Sequence, residues 1–144
     1  MRILGVDFGD SRIGIAISDP FGWTSGGVET INWSGDITRP IEKISTIVAE
    51  YGVEKIVVGM PRNMNGTYGP RSEITWDFIR QLEQKTGLEV IPWDERLTTA
   101  AASRIIHELG YKTKDKKHVM DQMAAAQILQ GYLDNIRRND EMKG

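Results

Sequence analysis

The chain has 144 residues, which suits one domain with a sizeable core and leaves little room for two. Its net charge of −2 argues against a general nucleic-acid coat, although a local basic surface remains compatible with it. With no Cys, disulfides, thiolate metal sites and cysteine nucleophiles are excluded, and a reducing compartment fits.

The first strand is expected over Arg2 to Phe8, where Leu4, Val6 and Phe8 point one way and Ile3, Gly5 and Asp7 the other. Gly9-Asp10-Ser11 is a turn, and Arg12 to Ser18 alternates again through Ile13, Ile15 and Ile17. A second turn at Asp19-Pro20-Phe21-Gly22 leads to a third strand over Gly27 to Trp33. Short turns make these three strands antiparallel neighbours. Then the period changes. Ile37, Ile41, Ile44, Ile47, Val48 and Tyr51 form a helical stripe that Gly52 stops. Lys55 to Met60 is apolar on both faces, as a covered parallel strand requires.

The segment from Pro61 to Gly69 is a loop, and Pro70 opens a helix that Gly87 closes. Leu88 to Trp93 is the fifth strand. A helix capped by Thr98 or Thr99 is expected to reach Gly110, followed by a basic connector, Lys112 to Lys117. The last helix is expected over about Val119 to Ile136, and residues 139–144 as a disordered tail after a single domain over 1–138. The order β-β-β-α-β-α-β-α-α describes an α/β fold, a five-stranded mixed sheet with helices on both faces. No apolar run is long enough to span a bilayer, and the N-terminus enters a strand without a signal-peptide pattern.

Carboxylates stand where this pattern calls for core. Asp7 lies within the first strand, and Asp94 and Glu95 end the fifth. Asp121 falls near the centre of an apolar arc made by Met120, Ala124, Ala125, Ile128, Leu129, Tyr132, Leu133 and Ile136. A solvated Asp would sit instead with Gln127, Gln130, Asp134 and Arg137 on the other side of the helix. Buried carboxylates are costly unless paired, hydrogen-bonded or bound to a cation. For each there is a plain reading as well: a turn-starting Asp7, a solvated Asp94-Glu95-Arg96 loop, an Asp121 satisfied by an Arg. Neighbours on an extended segment point opposite ways, so only one of Asp94 and Glu95 faces the Asp7 side. The longer Glu95 is preferred. A set of Asp7, Glu95 and Asp121, without His or Cys, suits Mg²⁺ or Mn²⁺, and a two-ion site can support in-line attack on a phosphodiester.

Four ordered motifs then resemble the YqgF/RuvX family. They are Gly5-Val6-Asp7-Phe8-Gly9-Asp10-Ser11-Arg12-Ile13-Gly14 with Ser18-Asp19; Val58-Gly59-Met60-Pro61-Arg62-Asn63-Met64-Asn65-Gly66-Thr67 with Gly69-Pro70-Arg71; Asp94-Glu95-Arg96-Leu97-Thr98-Thr99; and Asp121-Gln122-Met123-Ala124-Ala125. Asn65 departs from the Asp of many members, which argues against a catalytic role there. The resemblance implies an RNase H-like fold and a divalent-metal endonuclease with Asp7, Glu95 and Asp121 as catalytic acids and metal ligands. It implies a nucleic-acid substrate, with two readings: maturation of the 5′ end of pre-16S ribosomal RNA, or resolution of Holliday junctions in branched DNA.

RNA processing by one site is preferred, because no sustained heptad seam marks a dimer; a monomer or weak homodimer is expected, in the cytoplasm, with ribosomal particles as partners. Arg12, Arg62, Asn63, Arg71 and Arg96 are the candidate substrate contacts, since guanidinium matches phosphate; the arginines alternatively pair with the acids. Two other classes were weighed. Sugar-kinase and actin-like ATPases open with Asp-x-Gly but need a second lobe, and a non-catalytic RNA-binding assembly factor would not need intact acids.

Overall fold

In this computed structural model, residues 1–61, 69–94 and 114–143 are described. A five-stranded sheet has the order β3-β2-β1-β4-β5. Its strands are β1 (Arg2–Phe8), β2 (Arg12–Ser18), β3 (Ser25–Asn32), β4 (Val53–Met60) and β5 (Val90–Asp94). The first three are antiparallel, while β4 runs parallel to both β1 and β5. The helices among the described residues are α1 (Thr38–Tyr51), α2 (Pro70–Thr86) and α3 (Lys114–Lys143).

The alternation read in β1 sorts two cores. Leu4, Val6 and Phe8 join Ile13, Ile15, Val58 and Met60 beneath α1 and α2, with Ile44, Phe78 and Leu82 fully or almost fully buried. Ile3 joins Ala16 and Val57 on the other face, beneath Ala125, Ile128, Leu129 and Leu133 of α3. Helices therefore cover both faces, as expected. Both α1 and α2 end on a left-handed glycine, Gly52 (φ 65°) and Gly87 (φ 71°), the conformation that most cheaply stops a helix.

Several boundaries differ from the sequence reading, by up to two residues at the third, fourth and fifth strands and by more at the last helix. The last helix begins at Lys114 and continues through Lys143, so residues 139–143 are helical where a tail was expected. Apolar periodicity reports only the stretch of helix that packs on the sheet, and it is blind to polar turns beyond it. The fifth strand includes Asp94, which the register pairs with Met60. The helix expected between Thr98 and Gly110 lies outside the described residues.

Candidate active site

The central strand β1 carries Asp7, 5% exposed, on the face that α3 covers. Across the antiparallel ladder, Asp7 is paired with Gly14. A Cβ at Gly14 would lie 2.0 Å from the Asp121 carbonyl oxygen. The backbone of α3 thus rests directly on β2 at this point, and only glycine permits it. The same relation recurs along the helix. A Cβ at Gly5 would lie 2.7 Å from Leu129 Cβ, and one at Gly27 would lie 2.7 Å from Gln122 Cβ. Small residues on β1, β2 and β3 bring α3 close to the sheet, and that approach sets Asp121 beside Asp7.

Polar contacts fix the helix in this position. Thr30 Oγ1 donates to the His118 carbonyl at 2.7 Å, and Ser25 Oγ donates to the Ala126 carbonyl at 2.8 Å. The Ser25 backbone N–H donates to Gln130 Oε1 at 3.1 Å. Gln130, read from periodicity as part of the face away from the core, is therefore a bridge to β3. A helical wheel cannot reveal a partner so distant in sequence.

Asp121 accepts from Arg12 Nε at Oδ2 over 2.7 Å, with the two side chains 17% and 30% exposed. Arg12 opens β2 directly after the turn that follows Asp7. That turn is held by Gly9 N–H donating to the Arg12 carbonyl (2.9 Å), by Trp33 N–H donating to the Ser11 carbonyl (3.0 Å) and by Trp33 Nε1 donating to the Gly9 carbonyl (3.0 Å). On the opposite face, Phe8 stacks between Trp33 (centroids 5.5 Å) and Phe78 (4.3 Å). Trp33 packs against the core and braces the strand end that bears Asp7. Arg71, from the first turn of α2, donates to the Phe8 carbonyl, pairs with Asp10 and lies over the Phe8 ring at 5.6 Å. It ties α2 to the same turn.

Met60, the register partner of Asp94, belongs to the core under α1 and α2. Register partners point to one side, so Asp94 lies on the face away from Asp7, while its neighbour Trp93 packs on the α3 side. Glu95, Arg62, Asn63 and Arg96 lie outside the described residues, as do the lysine connector's first residues. Arg12 and Asp121 are brought together next to Gly14, the register partner of Asp7, and Arg71 stands at the edge of the turn. Among the described residues, no group of three His, Cys, Asp or Glu converges in a geometry suited to a metal ion. Asp7 and Asp121 form the described part of the expected acid set.

The family model described as RuvX, Holliday junction resolvase, matches residues 1–135. The chain belongs to this family. A protein of Acetivibrio thermocellus, provisionally named pre-16S rRNA nuclease, is 57% identical over 94% of this chain and 96% of its own length. A Listeria monocytogenes protein with the same name is 49% identical over 93% of this chain and 98% of its own. Among solved structures, Thermus thermophilus RuvC in complex with a Holliday junction substrate superposes with a TM-score of 0.64 at 13% identity, covering 96% of each chain. The fowlpox virus Holliday junction resolvase gives 0.52 at 18%, over 94% of this chain and 99% of its own. At such identities these two speak for the fold, which is the RuvC-like, RNase H-like one. No helix among the described residues is long and apolar enough to cross a membrane.

Proposed function

We propose that this nuclease of the RuvX family is a divalent-metal-dependent endonuclease that matures the 5′ end of pre-16S ribosomal RNA, with Asp7, Glu95 and Asp121 as its metal-holding acids. The observation that carries the reading is the buried Asp7 beside a glycine that lets α3 deliver Asp121. Nothing in packing alone calls for an acid on an otherwise small and apolar sheet face. Two or three oxygen donors without His or Cys suit a hard cation, and the residues present fit Mg²⁺ or Mn²⁺. When bound, one or two such ions supply an activated water and stabilise charge on the phosphodiester.

The chain's own part is orientation. Asp7 sits on the central strand of a packed sheet, so its carboxylate is rigid. Arg12 holds Asp121 by a charge-assisted bond, and its planar guanidinium is of the chemistry that suits a phosphate. Arg71 stiffens the turn between them. Arg62, Asn63 and Arg96 complete the proposed substrate contacts. The names of relatives at 57% and 49% identity support RNA as the substrate; our reading puts that RNA on ribosomal precursor particles in the cytoplasm.

Resolution of four-way DNA is the second reading, favoured by the family's own description. It calls for two sites related by a two-fold axis. The test is to present the purified protein with Mg²⁺, a 5′-extended 16S RNA fragment and a synthetic four-way junction in parallel, while sedimentation reports its oligomeric state. The expected result is endonucleolytic cleavage of the RNA by monomer, abolished by chelator and poorly supported by Ca²⁺. Paired symmetric nicks in the junction by a stable dimer, with the RNA intact, would overturn the choice. Binding of RNA without cleavage under any divalent ion would make the protein a non-catalytic assembly factor.

A further inference from the structure

The end of the molecule far from Asp7 carries a feature that cleavage does not use. A cavity of about 690 Å³ lies between the β2–β3 turn and the C-terminal half of α3, lined in part by Phe21, Trp23, Lys55, Leu133, Arg137 and Arg138. Its volume falls in the range of about 300–1,000 Å³ that ligand-sized groups occupy. Phe21 is 82% exposed and Trp23 58%. Large aromatics left this open contribute little to the core, and here two stand on one turn.

The Trp23 backbone is nevertheless fixed. Its N–H donates to Asp19 Oδ1 at 2.7 Å, and its carbonyl accepts from Gln130 Nε2 at 3.1 Å. The Arg137 guanidinium lies 5.1 Å from the centre of the Trp23 ring, within cation–π range. The same guanidinium is paired with Asp134, and its Nε finds no acceptor among the described residues. Three cationic side chains, Lys55, Arg137 and Arg138, line the cavity with two carboxylates, Asp134 and Asp140; Arg137 and Asp134 offset each other, which leaves Lys55 and Arg138 against Asp140. The balance favours an anionic partner, and the exposed rings favour one with flat faces to stack.

We propose that this groove is an accessory binding site for an unpaired RNA strand, with Trp23 and Phe21 stacking on bases and Lys55, Arg137 and Arg138 facing phosphates. Unpaired bases stack on aromatic side chains whatever their sequence, whereas a duplex keeps its bases covered. A turn held by Asp19 and Gln130 presents the indole without a further ordering cost. Asp121 and Arg137 stand on one helix, about 24 Å apart along its axis. A strand engaged at both ends would therefore be gripped several nucleotides from the point of cleavage. The proposal rests on the nuclease reading for the source of its strand, but not for its binding chemistry.

The test uses the wild-type chain and Trp23→Ala, Trp23→Phe and Phe21→Ala in chelator, so that binding is read without cleavage. A fluorescein-labelled 15-nucleotide unstructured RNA and an RNA duplex of equal length serve as probes, and anisotropy gives Kd. Trp23→Ala is expected to weaken binding of the single strand at least fivefold, Phe21→Ala less, and Trp23→Phe within twofold; duplex binding stays within twofold in all. Circular dichroism confirms the fold, which so exposed a ring does not support. An unchanged single-strand Kd in Trp23→Ala would overturn the accessory site. So would a Trp23→Ala protein whose only change is loss of self-association in sedimentation, which would make the groove a contact between copies. A Trp23-dependent Kd in a protein that cleaves no RNA in Mg²⁺ or Mn²⁺ would sustain the accessory site and overturn the nuclease reading alone.

Discussion

On the face covered by α1 and α2, β1 contributes Leu4, Val6 and Phe8, and the helices stand off on large side chains such as Phe78 and Ile44. On the face covered by α3, the same strand contributes Ile3, Gly5 and Asp7, and the helix backbone settles onto Gly5 and Gly14. The first face buries aromatic and branched side chains. The second gives up side-chain volume for proximity, which sets the backbone of Asp121 on Gly14, the register partner of Asp7. One face of the sheet thus serves mainly to hold the fold, and the other to hold the site.

Substitutions that enlarge or hollow the two faces separate these roles. The largest stability effect is expected from Phe78→Ala, which removes a fully buried ring stacked on Phe8. It should cost about 3–5 kcal/mol in urea unfolding. The fraction that stays folded should cleave at near the wild-type rate per folded molecule. Gly14→Ala is expected to cost about 1–3 kcal/mol, because its methyl meets helix backbone and not a yielding side chain. Its activity should fall much further than its stability, since Asp121 is pushed from Asp7. Equal losses of specific activity in the two variants, corrected for folded fraction, would erase the distinction between the faces.

A smaller effect is expected from Arg12→Ala. The Arg12–Asp121 pair is partly open to solvent, so its loss should change stability by less than about 1 kcal/mol. Cleavage should fall about tenfold, close to 1.4 kcal/mol of barrier, through a less rigid Asp121 and a lost cation beside the phosphate. Steady-state kinetics and thermal melts on the same preparation check both halves.

The alternation of β1 and β2, the helix stops at Gly52 and Gly87, and the misfit of Asp121 in an apolar arc were all legible before any coordinates, because each is a local pattern of period or conformation. The facing of Asp7 and Gly14 followed from the short hairpin. What escaped were contacts between distant segments. That an Arg could satisfy Asp121 was read from the sequence, but not which one: the Arg12–Asp121 bond joins residues 109 positions apart, and the tie between Arg71 and Phe8 joins residues 63 apart. Periodicity also misjudged the ends of α3, whose outer turns are polar in sequence and so leave no apolar signature. The packing of Trp33 is of the same kind, since an aromatic at a strand end packs or protrudes according to what crosses it, here Phe8.

The account depends most on the charge of Asp7. The direct measurement is the cleavage rate of Asp7→Asn relative to wild type in saturating Mg²⁺, on the 5′-extended RNA, at a temperature where circular dichroism shows both folded. Asn keeps the shape of the side chain and removes the charge that would hold a cation. The predicted result is a loss of about three orders of magnitude, close to 4 kcal/mol of barrier, with the melting temperature within a few degrees of wild type. A properly folded Asp7→Asn protein that cleaves at the wild-type rate would contradict the assignment of this face of the sheet as the active site.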